Sequence, residues 1–518
     1  MLPSWALVIC AIIPIIWLII SLAVLKMPGQ RAIPIGLLIT IGLAIFAFKM
    51  PIVDSLTAAL QGITNGLWPI VYIIVAAVFT YNIVTRSGGM DTIKAMLSSV
   101  SNDKRILVLI LAWGLGGFLE AIAGFGTAVA IPAGILAAFG MNPVLAAVIC
   151  LVANTTPTAF GAIGLPVSTL AQVGGLDPLQ LSLFVSLQLF LLIIIVPFIL
   201  VFLAGDGLKG LKGVFGITLA AGLSFAIPQV IIAKFLGPEL PAILGSLVTL
   251  GTVIFIASRM KKTDAGFDFK KNAGDAERPK LTVGKALTAW APFILVFTFI
   301  ILASPLVPPI NQGLKSITTE ISIYHGPGHS PLIVDWLGNP GTLIILATII
   351  GGLIQKLTFG QIFQTLWKTI VQLRKSAVTV MTIVGLAKVM TYSGMIGSIS
   401  TFLVATTGPV YPIIAPIIGA LGTFITGSDT SSNILFGKLQ VDAATSLGAN
   451  PYWIASANMA GATAGKMISP QSISVATAAT GMAGEEGNIL KRVAKYCFVY
   501  VALICLVVYG VGLITHLV

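Results

Sequence analysis

The chain has 518 residues, of which 57% are hydrophobic and 9% are charged, and its mean hydropathy is +1.03. An average soluble domain carries roughly 25% charged residues, so this composition excludes a soluble globular protein. The net charge of +12 does not indicate nucleic-acid binding, because the basic residues lie mostly between apolar segments, where positive charge marks the cytoplasmic side of a membrane. We predict an all-α, multi-pass protein embedded in the lipid bilayer.

Apolar runs close to the ~20 residues needed to cross a bilayer recur along the chain. The first run, 5–25, has no basic residue before it and no small-residue cleavage site after it, so we expect a retained helix rather than a signal peptide. The later predicted spans are 33–48, 67–84, 106–119, a broken segment 143–173, 179–203, 214–235, 241–257, 287–303, 342–354, 376–391, 411–425, a broken segment 451–480, and 494–517. The sequence predicts about 12 to 14 transmembrane helices.

Two long connections predict which side of the membrane they occupy. The connection 259–280 is rich in lysine and arginine, which favours the cytoplasm, whereas 304–340 has Lys315 as its one lysine and suits the outside. The predicted divisions are an N-terminal helix at 1–30, a first repeat at 31–205, central spans with these two loops at 206–340, and a second repeat at 341–518.

Two stretches, 124–168 and 427–472, carry the same polar residues in the same order. The matched pairs are Gly124 with Gly427, Thr127 with Thr430, Asn142-Pro143 with Asn450-Pro451, Asn154 with Asn458, Gly161 with Gly465, Pro166 with Pro470, and Ser168 with Ser472. The last four pairs share one offset, because 458 − 154 and 472 − 168 both equal 304. Many secondary transporters build their binding sites from such repeats. Our span count places the two halves in parallel, whereas inverted repeats need an odd separation, so the relative orientation stays open.

Each repeat is predicted to contain a re-entrant hairpin followed by a broken helix. The apolar pieces around each hairpin are too short to cross, and irregular backbone at membrane depth is tolerated only inside protein or beside a wet cavity. The helices that follow are expected to unwind at 154–157 and 458–461, since proline and glycine favour a break. The residues assigned to hairpins and hinges are Gly124, Gly126, Pro157, Gly161, Gly427, Gly461 and Gly465. For any single glycine, close helix packing is an alternative explanation.

Glu120 and Asp429 each lie a few residues from one of the paired hairpin glycines. An ionised side chain at membrane depth is costly, so both acids are candidates for carrying a proton. A structural salt bridge or a helix cap is the alternative for each. Lys388, Lys438 and Lys466 are the basic candidates, and Lys466 is the best placed because it lies within the second broken helix.

The half-helices that restart after a break offer free N–H groups and a positive dipole end to an anion, while free carbonyls can hold a cation. This arrangement predicts a carboxylate-binding site. The predicted substrate-binding residues are Asn154, Thr155, Thr156, Ser428, Thr430, Ser431, Asn458, Lys466 and Ser472. Sodium-coupled transport, with unwound carbonyls and Asn154 or Asn458 as ion ligands, is an alternative.

Nothing in the sequence predicts an enzyme or a cofactor. His325 and His329 share a loop but lack nearby cysteines, and His516 stands alone, so no metal site is expected. The chain contains no nucleotide-binding fingerprint and no plausible Ser/His/Asp arrangement. An anion channel or a membrane sensor remains possible as a different class; a channel would give downhill flux without accumulation, and a sensor would need an output domain.

The motifs resemble those of the bacterial L-lactate permease family, the lactate and glycolate proton symporters. The runs that carry the resemblance are LEAIAGFGTAVAIP at 119–132, ANTTPTAFGAIGLP at 153–166, TGSDTSSNILFG at 426–437 and GATAGKMISPQS at 461–472. The resemblance implies a bacterial cell-membrane symporter of L-lactate, glycolate and a proton. A weaker similarity to a wider group of anion and organic-acid transporters implies inverted repeats, elevator-type alternating access and a homodimer.

Overall fold

The computed structural model describes residues 3–25, 27–98, 100–124, 126–260, 265–269, 282–304, 307–328, 331–482 and 485–518. Most of the predicted basic loop 259–280, and His329, lie outside these ranges. The helices within them are α1 Ser4–Ile19, α2 Gly29–Phe46, α3 Ile52–Asn65, α4 Tyr72–Arg86, α5 Gly89–Ser98, α6 Lys104–Val108, α7 Gly116–Ile122, α8 Thr127–Ala138, α9 Pro143–Ala153, α10 Gly161–Gly174, α11 Pro178–Ala204, α12 Phe215–Leu236, α13 Pro241–Arg259, α14 Val283–Ala303, α15 Pro308–Lys315, α16 Pro340–Ile354, α17 Phe359–Tyr392, α18 Met395–Thr407, α19 Tyr411–Thr426, α20 Asp429–Leu447, α21 Pro451–Ile468, α22 Pro470–Thr480 and α23 Glu486–Ile514. Two short strands, β1 Thr318–Ile321 and β2 Leu332–Asp335, pair antiparallel.

The described ranges contain eleven helices long and apolar enough to cross a membrane, or twelve if the bent pair α9 and α10 forms one span. This confirms the predicted polytopic helical class. The elements that were not predicted are α3, α5, α15, α18 and the β1–β2 hairpin. The division into repeats at 31–205 and 341–518 stays a prediction.

The repeated Asn-Pro dipeptides start the helices that follow the two hairpins. The Asn142 side chain accepts a hydrogen bond from Leu145 N at 3.1 Å, and Asn450 does the same for Trp453 N at 3.2 Å. Asparagine is a preferred N-cap, and the proline after it fits the first helical position, where no N–H is needed. This part of the duplicated pattern therefore encodes two helix starts, those of α9 and α21.

The bases of the two hairpins lie at opposite ends of α11. Each hairpin has two arms. Those of hairpin 1 are the apolar stretch Lys104–Ile122 and α8, and those of hairpin 2 are α19 and α20. At the start of α11, Asp177 N donates to the Tyr452 hydroxyl beside the base of hairpin 2. Past its other end, the carbonyls of Gly210 and Lys212 accept hydrogen bonds from Arg105 at the base of hairpin 1. A helix of 27 residues is roughly 40 Å long, so the hairpins open towards opposite sides.

The base of hairpin 1 lies beside the basic connection. Asp103 pairs with Asp268 in an isolated bridge, and the Arg105 guanidinium stacks 3.8 Å from the Phe267 ring centre. This end carries the basic residues and is therefore assigned to the cytoplasm. The predicted span at 106–119 lies within the apolar stretch Lys104–Ile122, which forms one arm of hairpin 1, and the relative orientation of the two repeats stays a prediction.

Two apolar clusters surround the hairpins. The larger contains the packed faces of hairpin 1, α9, α11 and α21. The second joins α2, α3, α4 and α17 to residues of α20 such as Leu435 and Leu439. The tips of the two hairpins therefore lie where the two clusters meet. On one side they face α4 and α17, which form a wall.

Candidate functional site

A cavity of about 80 Å³ lies where the tips of the two hairpins meet. One water needs roughly 10–15 Å³ on this measure, so the cavity can hold a small organic molecule. Its polar and charged lining comes from Glu120, Thr158, Ser428, Asp429, Thr430, Lys466, Gln471 and Ser472. Ile74 of α4 and Val380 of α17 supply an apolar wall.

The tip of hairpin 1 places Glu120 against the broken helix. Gly124 and Gly126 both have positive φ, +59° and +85°, which lets the chain turn tightly before α8 begins. Glu120 is buried, and a Cβ at position 161 would lie 2.8 Å from its Oε1 atom. Glycine at 161 is therefore required for the Glu120 carboxyl to take this position.

The tip of hairpin 2 places Asp429 at the start of α20. Gly427 turns the chain with φ +70°, and the Ser428 side chain caps the helix by accepting from Ser431 N at 3.3 Å. Asp429 is buried beside Thr158 and Thr423. Asp429 lines the cavity, and the hydroxyls of Thr158 and Thr423 are the neutral groups nearest its carboxyl group.

Lys466 is the one cationic side chain that lines the cavity in the described part of the chain. Its Nζ donates to the Gly427 carbonyl at 3.0 Å, which uses one of its three donors. It also attracts the carboxylates of Glu120 and Asp429. The other two basic candidates lie elsewhere, since Lys438 pairs with Asp442 and Lys388 lies beside Tyr392.

Three helix N-termini converge on the same cavity. These are α8 after Gly126, α20 after Ser428 and α22 after Ser469, whose hydroxyl accepts from Ser472 N at 3.2 Å. Each N-terminus exposes N–H groups and carries a partial positive charge. Together with Lys466 they favour an anion, while the two carboxyl groups can accept protons.

The first broken helix is irregular over about ten residues. After α9 ends at Ala153, a short 3₁₀ turn covers Thr156–Phe160, and Ala162, Ile163 and Gly164 then have positive φ. α9 and α10 are bent by 48°. The break falls at the predicted position, next to Pro157.

The second break does not fall where it was expected. α21 is continuous from Pro451 to Ile468 and passes unbroken through 458–461, and the interruption comes at Ser469. Gly461 and Gly465 lie directly against the backbone carbonyls of Pro416 and Ala420. These two glycines allow α21 to pack on α19 and are not hinges at a break.

Asn458 belongs to a buried hydrogen-bond network and does not line the cavity. Its Nδ2 donates to Asn433 Oδ1 at 2.9 Å, and its Oδ1 accepts from Gln440 at 3.1 Å. Asn433 in turn donates to the Pro166 carbonyl at 2.9 Å, and Gln440 accepts from Tyr411 at 2.7 Å. The network ties hairpin 2 to the broken helix.

The predicted site residues thus divide into two groups. Those that line the cavity are Glu120, Gly124, Gly126, Gly161, Gly427, Ser428, Asp429, Thr430, Lys466 and Ser472. Those placed behind it are Asn154, Thr155, Thr156, Pro157, Ser431, Asn458, Gly461 and Gly465. Asn154 is buried beside Glu120.

Sequence reasoning missed Thr158 and Gln471 as polar lining residues. Gln471 stands between the matched residues Pro470 and Ser472, so its position in the repeat was a usable signal. Thr158 follows Pro157 and was equally close to a predicted break. The wall residues Ile74 and Val380 carry no polar signal and come from distant parts of the chain.

Comparison with known proteins shows that residues 7–515 match a family model described as L-lactate permease. The chain is 58% identical over 448 residues to an L-lactate permease of Streptococcus iniae, covering 86% of this chain and 93% of the relative. It is 36% identical to the glycolate permease GlcA of Escherichia coli (strain K12), covering 95% and 93% of the two chains. A solved transporter structure, YdaH of Alcanivorax borkumensis, is similar at a TM-score of 0.47 with 14% identity and 85% of each chain covered.

Proposed function

The chain belongs to the L-lactate permease family, and on this premise we propose that it is a secondary active transporter of L-lactate and related small 2-hydroxy monocarboxylates such as glycolate. Proton symport drives uptake in this proposal. The relatives named as lactate and glycolate permeases support this substrate class.

The observation that carries the proposal is the convergence of Lys466 and three helix N-termini on one small buried cavity. A carboxylate accepts hydrogen bonds from a lysine and from N–H groups at a helix start. Gln471, Ser472 and Thr158 offer neutral donors and acceptors for a 2-hydroxyl group. Ile74 and Val380 provide the apolar surface that a short carbon chain requires.

Glu120 and Asp429 are the proposed proton carriers. Both are buried, and each lines the cavity together with Lys466. One lactate anion crossing with one proton moves no net charge. Uptake should therefore respond to a pH difference and not to membrane potential.

We further propose elevator-type alternating access in a homodimer. The support for alternating access is the opposite orientation of the two hairpins along α11 and the position of the cavity between their tips and the wall of α4 and α17. In this mechanism the two hairpins and the helices packed between them move together and carry the anion and the proton past the wall formed by α4 and α17. Hairpin 1 closes the cytoplasmic path and hairpin 2 the external path.

The test is uptake of labelled L-lactate into proteoliposomes in sodium-free buffer, with an inward proton gradient. We expect accumulation above equilibrium that disappears when the pH gradient is collapsed and persists when membrane potential alone is collapsed. Glycolate should compete and sulfate should not. Accumulation that requires sodium would identify sodium coupling, and flux that never exceeds equilibrium would identify a channel; either result would overturn the proposal.

A further inference from the structure

A second cavity, of about 290 Å³, lies at the end of the molecule opposite the basic connection. It is bounded by the start of α11, the loop 237–239 between α12 and α13, and the connection that includes α15. α13 begins beside it and ends at Arg259, so the cavity faces the external side. Among the described residues, its charged lining comes from Asp177, Glu239 and Lys315, and none of its lining residues also lines the central cavity.

The loop 237–239 touches the irregular part of the first broken helix. A Cβ at Gly164 would overlap the Pro238 carbonyl and lie 2.8 Å from the Glu239 backbone nitrogen. Gly164 has φ +74° and follows Ala162 and Ile163, which also have positive φ. Ala162 lines the central cavity. A three-residue segment thus connects the external loop to the site.

The Glu239 carboxyl folds back over its own loop. Its Oε2 lies 3.3 Å from the position that a Cβ on Gly237 would occupy. Burial raises the pKa of Glu239 to about 7, against the opposing effects of its own backbone N–H and of Lys315. Glu239 therefore changes its charge close to neutral pH.

The charged groups around Glu239 come from each neighbouring element. Lys315 of α15 is the facing cation, and Asp177 at the start of α11 is the facing acid. Asp335, at the end of β2, also interacts with Lys315, and burial raises the pKa of that aspartate. Lys234 of α12 instead lies over the Phe235 ring. The carboxylate of Glu239 therefore has Lys315 as its ionic neighbour in this cavity.

We propose that Glu239 is an external positioning residue whose protonation releases the loop 237–239 from the irregular segment 162–164 and so sets the dependence of transport on external acidity. This inference rests on the proposed transport function. When ionised, the carboxylate attracts its own backbone N–H and Lys315, and the loop is held against Gly164. A proton taken from the external water removes that charge and weakens both attractions.

The test is lactate counterflow in proteoliposomes with the same pH on both sides, because exchange at equal pH has no net proton driving force. The wild-type protein should exchange roughly tenfold more slowly at about pH 8 than at about pH 6, since the protonated fraction of a group with this pKa falls by that factor. Glu239→Gln cannot ionise, so its rate should fall much less than that of the wild type across this range, and any fall that is left reports the proton carriers Glu120 and Asp429. Glu239→Asp keeps an acid and should retain the fall.

Glu320→Gln, on the exposed strand β1 of the same external connection, is the matched control and should keep the wild-type profile. A pH profile in Glu239→Gln identical to that of the wild type would overturn the inference and leave the transport proposal intact. A flat profile in Glu239→Asp would also overturn it. A wild-type protein that exchanges no lactate at any pH would instead overturn the proposed function, and thermal unfolding of each variant verifies that it is folded.

Discussion

Replacing Lys466 with glutamine should weaken lactate binding roughly 10- to 150-fold. Lys466 is the single cation of the cavity within the described residues, and it faces the acids Glu120 and Asp429. Hydrogen bonds to charged groups contribute about 1.5–3 kcal/mol, and each 1.4 kcal/mol is about tenfold in affinity. Because its Nζ also holds the Gly427 carbonyl at 3.0 Å, the variant should also loosen the tip of hairpin 2.

The assay is the KM for labelled L-lactate in counterflow at equal pH, which reports binding without a proton gradient. Lys466→Arg keeps the charge and should recover part of the affinity. Lys438→Gln is the matched control, because Lys438 is half-buried on α20 but pairs with Asp442 away from the cavity. Because Lys438 is not among the described residues that line the cavity, the KM of Lys438→Gln should stay close to that of the wild type. Equal KM values for Lys466→Gln and Lys438→Gln would refute this account of the site.

Three further changes separate coupling, geometry and folding. Asp429→Asn should abolish accumulation driven by a pH gradient yet retain counterflow, and full accumulation would remove its coupling role. Gly161→Ala puts a Cβ 2.8 Å from Glu120 Oε1, so it should slow transport without changing the thermal midpoint. Adding Glu120→Asp to this variant shortens the acid and should relieve the clash. Gly510→Ala, whose Cβ would meet open space, should transport like the wild type. Asn458→Ala leaves buried partners unpaired, a cost of about 1–3 kcal/mol, so the thermal midpoint should fall while the KM of the folded protein stays unchanged, and a raised KM would argue for direct contact with lactate.

The features that the sequence predicts well are those governed by local rules. The paired glycines Gly124 and Gly427 both have positive φ at hairpin tips, and the two Asn-Pro dipeptides both start helices. In each case the residue type itself determines the backbone conformation. Two copies of the same local signal then reinforced each other, which is why the hairpins could be located without a structure.

The position of the second break could not be read from the repeat alone. Asn154 is followed by a proline three residues later, whereas the next proline after Asn458 is Pro470. A helix interior tolerates glycine at about 1 kcal/mol but proline at about 3 kcal/mol. The two breaks therefore lie at the prolines, Pro157 and Pro470. The prediction of a break at 458–461 relied on the match of Asn458 with Asn154, although a proline is the stronger signal for a break. Tertiary packing on α19 then makes Gly461 favourable inside a continuous helix.

The difference between the two copies has a mechanical consequence. Ala162 and Ile163 hold left-handed backbone conformations with φ 44° and 58°, which cost on the order of 1–3 kcal/mol each in non-glycine residues. No comparable run of positive-φ residues other than glycine is found in the described part of α21 and α22. Strain of this kind persists only when the surrounding groups hold it in place.

Two groups hold this strained segment, and each includes an acid. On the cavity side Glu120 lies against Gly161, and on the external side the loop of Glu239 lies against Gly164. Glu120 thus lies next to the start of the segment, at Gly161, and the loop of Glu239 lies against its end, at Gly164. α21, by contrast, is continuous and packs on α19. The first copy therefore differs from the second in holding a strained segment next to the cavity, while the second copy supplies both Lys466 and the proposed proton carrier Asp429.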